Sequence, residues 1–192
     1  MIVITGGIGS GKSVVSRILR LRGYGVYDCD YRAKVLMETD SEINSGIRRI
    51  AGSDAFNDDG SLNRLHLAEV IFGSREKRQQ INQLVHAAVR KDIEMWLKEK
   101  PENLFVETAI AVESGLAALA KEVWMVRATP ETRIRRVGER DSREEEEIMK
   151  IIEAQKREEA GLKEMDIPVV FIDNNPSDYL MGEIDKALIK YS

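Results

Sequence analysis

The chain has 192 residues, 43% hydrophobic and 32% charged, with 29 basic against 33 acidic side chains and a formal charge of -4. That suffices for one α/β core with insertions but hardly for two independent domains, and the mildly acidic balance gives no support to a nucleic-acid partner. A single cysteine, Cys29, excludes an intrachain disulfide, the two histidines His66 and His86 assemble no structural zinc constellation, and no apolar run approaches the ~20 residues of a membrane span.

A first strand at the very N-terminus leaves no room for a signal segment, so a cytoplasmic protein is expected. Ile2-Val3-Ile4-Thr5 is a short β-branched run that predicts a buried strand. It leads into Gly6-Gly7-Ile8-Gly9-Ser10-Gly11-Lys12-Ser13, a complete G-x-x-x-x-G-K-[ST] phosphate loop. Beyond it Val14, Val15, Ile18, Leu19 and Leu21 recur at helical spacing, which puts the glycines at a strand-to-helix turn where amides and the helix dipole attract phosphate. Gly6, Gly9 and Gly11 permit positive φ, Lys12 brings a point charge to the β- and γ-phosphates, and Ser13 offers a hydroxyl to Mg²⁺. The chain is therefore expected to bind ATP through Gly7, Gly9, Ser10, Gly11, Lys12, Ser13 and Val14.

Gly23 and Gly25 end the first helix, and Tyr24 to Tyr27 predict a second strand closed by Asp28-Cys29-Asp30. Helical patterns follow over 31–38, 42–51, 64–72 and 75–99, stopped by Pro101. Leu104 to Val106, Val123 to Val126 and Val169 to Ile172 predict three more strands, the first closed by Glu107 and the last by Asp173. Between the last two, Thr129-Pro130-Glu131 starts a helix that runs through Arg140, and Ser142 with Glu145 resembles a capping box for a helix ended by Gly161. A closing helix spans 177–190, with Tyr179, Leu180, Ile184 and Leu188 on its packing face.

Five strands separated by helices predict an α/β fold with a parallel doubly wound sheet, whose ligands sit at the carboxyl ends of the strands. The expected division is a core over 1–30, 103–128 and 162–192, a helical acceptor-binding insertion over 31–102, and a helical lid over 129–161. The loop, Asp28, Asp30, Glu107 and Asp173 are expected on one rim. There Asp30 suits the base that takes the proton of an acceptor hydroxyl, and Glu107 a contact to Mg²⁺ through water. Arg133, Arg136 and Arg140 share one face of the lid helix, where guanidinium forks suit phosphate, with Arg140 the favoured member. His86 and Arg90, four apart on the long insertion helix, are candidates to grip an anionic acceptor. Trp96 and Trp124 read as core.

Taken together, the phosphate loop, Asp28-Cys29-Asp30, Leu62-Asn63-Arg64 before Val70-Ile71-Phe72, and Ile81 to His86 resemble, in order, the signposts of the dephospho-CoA kinases. Glu113-Ser114-Gly115-Leu116, Arg140-Asp141 with Gln155, and Ile172-Asp173-Asn174-Asn175 extend the resemblance over nearly the whole chain. It implies a phosphate-loop fold and ATP- and Mg²⁺-dependent phosphorylation of the ribose 3′-hydroxyl of dephospho-CoA, with Asp30 as base. It also implies His86 and Arg90 as acceptor contacts, the Asn174-Asn175 loop beside the adenine, and no membrane or nucleic-acid partner; oligomeric state is left open. Val14 stands where the family has threonine, Glu107 where it has aspartate, and Ala87 and Ala109 where prolines are usual.

The rival readings are another phosphate-loop small-molecule or nucleotide kinase, a nucleotide switch, and an ATP-binding pseudoenzyme. A switch requires Asn-Lys-x-Asp and Asp-x-x-Gly strings that do not occur, and retention of Lys12, Ser13, Asp30 and Arg140 disfavours the pseudoenzyme.

Overall fold

A computed structural model describes residues 1–99 and 104–191. The predicted helix stop at Pro101 and the predicted start of a core segment at 103 lie outside them. The chain forms two compact units, Met1–Asp28 with Lys100–Ser192, and Cys29–Glu99.

The first unit is built on five parallel strands: β1 (Ile2–Thr5), β2 (Gly25–Asp28), β3 (Leu104–Glu107), β4 (Glu122–Arg127) and β5 (Val169–Asp173). Their order is β2-β3-β1-β4-β5. β1 lies at the centre, paired with β3 through Ile2↔Phe105 to Ile4↔Glu107 and with β4 through Ile2↔Glu122 to Thr5↔Met125. All four residues of β1 are buried. Such a strand reads as a nearly continuous apolar run, here ended by the buried Thr5, because helices cover both faces of a parallel sheet. The loop after β1 opens where the strand order changes direction, the position at which open α/β sheets bind ligands.

Helix α1 (Lys12–Leu21) presents Val15 and Leu19, four apart and fully buried. They join Ile2, Ile4, Phe105, Trp124, Val126, Ile172, Ile184, Ala187 and Leu188 in one core cluster. Phe105 meets Trp124 edge-on at 5.0 Å and Tyr24 at 5.5 Å. Each fully buried Leu or Ile side chain contributes about 1.5–3 kcal/mol of transfer free energy, so this cluster is the unit's main source of stability.

The second unit holds four helices: α2 (Cys29–Thr39), α3 (Ser41–Ala51), α4 (Arg64–Gly73) and α5 (Arg75–Glu99). Ile81, Val85, Val89 and Ile93 recur every fourth residue on α5 and form its buried stripe. Asp40 caps α3 by accepting from Glu42 N (2.8 Å) and Ile43 N (3.0 Å), and Asn63 caps α4. Arg32 donates two 2.8 Å bonds to Asp92, joining α2 to α5 with a guanidinium–carboxylate fork. Trp96 is half-buried, not core; Trp124, at 0% exposure, is core as predicted.

Helices α6 (Pro130–Asp141), α7 (Glu145–Glu164) and α8 (Leu180–Leu188) complete the first unit. Thr129 caps α6 with Pro130 at its first position, as predicted. The capping box expected for α7 is not formed. Ser142 instead ends α6 in the left-handed region at φ 52°, and Glu144 precedes α7 without a side-chain cap bond. Nor does Gly161 end α7, which runs to Glu164; a Cβ on Gly161 would stand 2.9 Å from Val112 Cγ1, so glycine serves close packing there. α8 begins at Leu180, later than predicted, and Tyr179 is 75% exposed; Ile184, Ala187 and Leu188 carry the packing.

Candidate functional site

The loop between β1 and α1 takes positive φ at Gly6 (149°), Gly9 (73°) and Gly11 (99°). It is also too crowded for side chains. A Cβ on Gly6 would overlap Val126 O, one on Gly9 would stand 2.7 Å from Arg133 O, and one on Gly11 would overlap Asn174 Nδ2. Gly11, left-handed, is the N-cap of α1, so the loop closes on a helix N-terminus whose dipole favours an anion. Lys12 Nζ donates to Gly6 O (2.6 Å) and Gly7 O (3.3 Å), which holds the ammonium against the loop.

At the end of β3, Glu107 is 6% exposed. Its Oε1 accepts from Ser13 Oγ at 2.9 Å, while Oε2 is buried with no hydrogen-bond partner. A buried carboxylate oxygen left without a donor is costly, and a metal-bound water or a cation is the kind of group that satisfies it. Asp28 ends β2 opposite Glu107 in register, and Asp173 ends β5, where it accepts two bonds from Arg127 at 2.9 and 2.8 Å.

Three side chains from α6, α7 and the β5–α8 segment hold the loop from outside. Arg133 Nε donates to Ile8 O (2.7 Å) and its Nη2 to Gln155 Oε1 (3.1 Å); Ile8 N donates to the same Gln155 oxygen (2.7 Å). A Cβ on Gly7 would overlap the Arg133 fork. Burial pushes the Arg133 guanidinium below its ordinary value, with Glu159 opposing. Asn174, 8% exposed, donates to Ser10 O (2.8 Å). The Ile8 side chain packs on the Val137, Ile148 and Ile152 cluster formed by α6 and α7.

Measured against expectation, Gly7, Gly9, Ser10, Gly11, Lys12, Ser13 and Val14 form one loop and helix start, with Glu107 bonded to Ser13. Ser10 is 1% exposed, its hydroxyl is buried without a partner, and its backbone serves the loop, with N donating to Gly7 O (3.2 Å) and O accepting from Asn174. Val14 is 50% exposed. Of the three candidate arginines on α6, Arg133 touches the loop most closely and Arg136 follows, with Nη1 3.4 Å from Gly9 O. Arg140, favoured from the sequence, forms a forked bond to its neighbour Asp141 (2.7 and 2.8 Å), which holds its pKa above the ordinary value. Asn175 braces its own turn, accepting from Thr129 N (2.8 Å) and donating to Asp178 (2.6 Å from N, 2.8 Å from Nδ2).

In the second unit, Asp30 is the second residue of α2 and is exposed, while His86 and Arg90 are half-buried one turn apart on α5. Another flank of α5 lines a cleft of about 350 Å³ with Leu84, Ala88, Lys91 and Met95, closed by Leu36 and Ile43. Two loop contacts escaped the sequence reading. The sequence favours Arg140 over Arg133 and marks Gln155 only by family resemblance; the i, i+3 spacing of arginines locates a face but not which member reaches a loop far away in sequence.

A parallel sheet with this loop at its central strand, flanked by helical arginines, defines a phosphate-loop kinase. The sequence profile of dephospho-CoA kinases matches residues 1–178. A dephospho-CoA kinase of Porphyromonas gingivalis is 39% identical over 161 residues, 83% of this chain and 79% of that one. One from Bacillus thuringiensis is 34% identical over 170 residues, 86% and 85% of the two chains. Among solved structures, TT1252 from Thermus thermophilus is similar with a TM-score of 0.79 at 30% identity, covering 99% of this chain and 94% of that one. The chain belongs to the dephospho-CoA kinase family.

Proposed function

We propose that the chain transfers the γ-phosphoryl group of ATP to the ribose 3′-hydroxyl of dephospho-CoA, giving coenzyme A and ADP. The observation that carries this reading is the glycine loop itself, a backbone cradle closed by Lys12 and set beside the bond from the exposed Ser13 to the buried Glu107. Asp30 is the proton acceptor: as the hydroxyl oxygen bonds to the γ-phosphorus its proton passes to the carboxylate, the bond from that phosphorus to the bridging oxygen breaks, and the electron pair leaves with ADP. Its support is position, two residues beyond the end of a strand whose last residue lies in register with Glu107.

Lys12 with the amides of Gly9, Gly11 and Ser13 holds the phosphates, and Arg136 and Arg140 of the lid add positive charge on closure. The residues fit a magnesium ion. Ser13 Oγ and Glu107 would hold it, Glu107 through water at its partnerless oxygen, consistent with the few protein ligands that Mg²⁺ takes. When bound, the ion neutralises phosphate charge. The insertion over 31–102 takes the acceptor, with His86 and Arg90 on its anionic part, and its cleft, apolar along Leu36, Ile43, Leu84 and Met95 with Asp40, Glu42, Lys91 and Asp92 also lining it, suits an arm without net charge. Asn175 lies with the adenine. A reducing compartment, the cytoplasm, is the setting, supported by the lone cysteine.

The test is to incubate the purified protein with ATP, Mg²⁺ and dephospho-CoA and to detect coenzyme A by mass, beside a panel of nucleoside monophosphates and sugar alcohols. Formation of coenzyme A is expected. Turnover of another hydroxyl acceptor without dephospho-CoA turnover would overturn the assignment.

A further inference from the structure

We infer that Gln155 is a positioning residue for phosphoryl transfer: one side-chain oxygen on α7 sets both the middle of the phosphate loop and the arginine that lies across it. The inference rests on the ATP-site reading above and adds a residue that this reading does not use.

Ile8 is held at three points. Its N–H donates to Gln155 Oε1 at 2.7 Å, its carbonyl accepts from Arg133 Nε at 2.7 Å, and its side chain lies in the apolar cluster of Val137, Ile148 and Ile152. The ring of contacts closes through Arg133 Nη2, which donates to the same Gln155 oxygen at 3.1 Å. Gly7 makes this possible, since a Cβ there would overlap the guanidinium and stand 2.9 Å from the Gln155 oxygen.

Two consequences follow for the chemistry. The Ile8 N–H is turned toward α7 and the Ser10 N–H donates to Gly7 O (3.2 Å), so that the amides of Gly9, Gly11 and Ser13 are those left for a ligand. Arg133 has Nε and Nη2 committed to Ile8 O and Gln155 Oε1, so its fork cannot rotate without breaking two bonds and releasing the Ile8 peptide. A primary amide suits the position. Its oxygen accepts from two donors at once and adds no negative charge beside the phosphates, whereas a carboxylate would accept equally well but repel them. Preorganised donors lose their advantage when misplaced by about 1 Å, a displacement that costs on the order of 100-fold in rate.

The experiment compares Gln155→Met, which keeps length but removes the acceptor, with Gln155→Glu, which keeps it. Steady-state kinetics with ATP and dephospho-CoA are measured at temperatures where both variants are folded. Gln155→Met is expected to lower kcat by about 10–100-fold with KM for dephospho-CoA changed less than about twofold. Gln155→Glu is expected to keep kcat within about fivefold of the parent while raising KM for ATP. A double-mutant cycle with Arg133→Lys should be strongly non-additive in kcat, because both side chains act through the Ile8 peptide. A stability role alone would shift unfolding without splitting kcat from KM and without rescue by glutamate. The inference fails if Gln155→Met turns over within threefold of the parent, if the Met and Glu variants are equally slow, or if the cycle is additive. Should Gln155→Met not fold, Arg133→Lys alone reads the same ring from its other side, and an unchanged kcat there overturns the inference. Absence of turnover by the parent chain would instead refute the assigned reaction.

Discussion

Replacing Glu122 by alanine is expected to lower the thermal unfolding midpoint by on the order of 10 °C while leaving turnover per folded molecule unchanged. Glu122 opens β4 at the end of the sheet opposite the phosphate loop and is 4% exposed. Its Oε1 accepts from Trp124 Nε1 (2.7 Å) and Tyr191 OH (3.0 Å), and its Oε2 from Lys190 Nζ (2.6 Å). With the carboxylate gone, Trp124 Nε1 is stranded in a fully buried site at about 1–3 kcal/mol, and lost packing of the Cγ methylene adds about 0.8 kcal/mol. Lys190 and Tyr191 reach water and lose less. The total of about 2–4 kcal/mol converts at about 2–4 °C per kcal/mol for a chain of this size.

Scanning calorimetry with a parallel kinase assay reads both quantities, and a midpoint within 2 °C of the parent would refute the reasoning. pH supplies a second arm. Burial pushes the Glu122 carboxyl up, but the bonds from Lys190, Trp124 and Tyr191 outweigh it and hold it below its ordinary value, so its stabilisation is present above the unfolded pKa and is lost as pH falls through the folded one. Tyr191 is pushed up to about 12 by burial and then by Glu122, so its stabilisation is present below its ordinary 10.0 and is lost as pH rises toward 12. In the alanine variant, tyrosinate absorbance should report Tyr191 titrating nearer its ordinary value.

Three further outcomes are expected. Asp30→Asn should lower kcat on the order of 100-fold or more with ATP affinity nearly intact by calorimetric titration; unchanged turnover would remove Asp30 as base. Lys12→Ala should weaken ATP binding and slow turnover together, because its charge acts in the ground state as well as at transfer, and a loss confined to one of the two would contradict this. Gly11→Ala should weaken ATP binding at least about tenfold, since the methyl group would meet both a φ of 99° and the Asn174 amide. An alanine variant with parental ATP affinity would show that the loop relaxes freely.

The five strands were legible because each is a short apolar run bounded by breakers, and a strand buried on both faces admits little else. The phosphate loop was legible because its chemistry is local: eight consecutive residues carry the glycines, the lysine and the hydroxyl. What the sequence did not disclose depends on contacts far apart in the chain. Ser142 and Glu145 have the spacing of a capping box, yet the turn out of α6 takes Ser142 into the left-handed region and removes it from the start of α7. Gly161 looked like a helix stop because a glycine packed against Val112 and a glycine ending a helix are written the same way. Arg140 was preferred to Arg133 because the spacing gives the face and not the reach, and Gln155, 147 positions from Ile8, carries no local sign of its partner.

Glu158 on α7 accepts from the backbone amides of Val112 (2.8 Å) and Glu113 (2.9 Å), and Gly161 seats Val112 one turn further along. Charge-assisted bonds of this kind are worth about 1.5–3 kcal/mol each, so parting α7 from the segment that follows β3 would cost several kcal/mol. A swing of α7 therefore does not resemble a flap on a free pivot. Its tether lies five residues beyond Glu107, so the helix and the carboxylate that accepts from Ser13 share one short stretch of backbone.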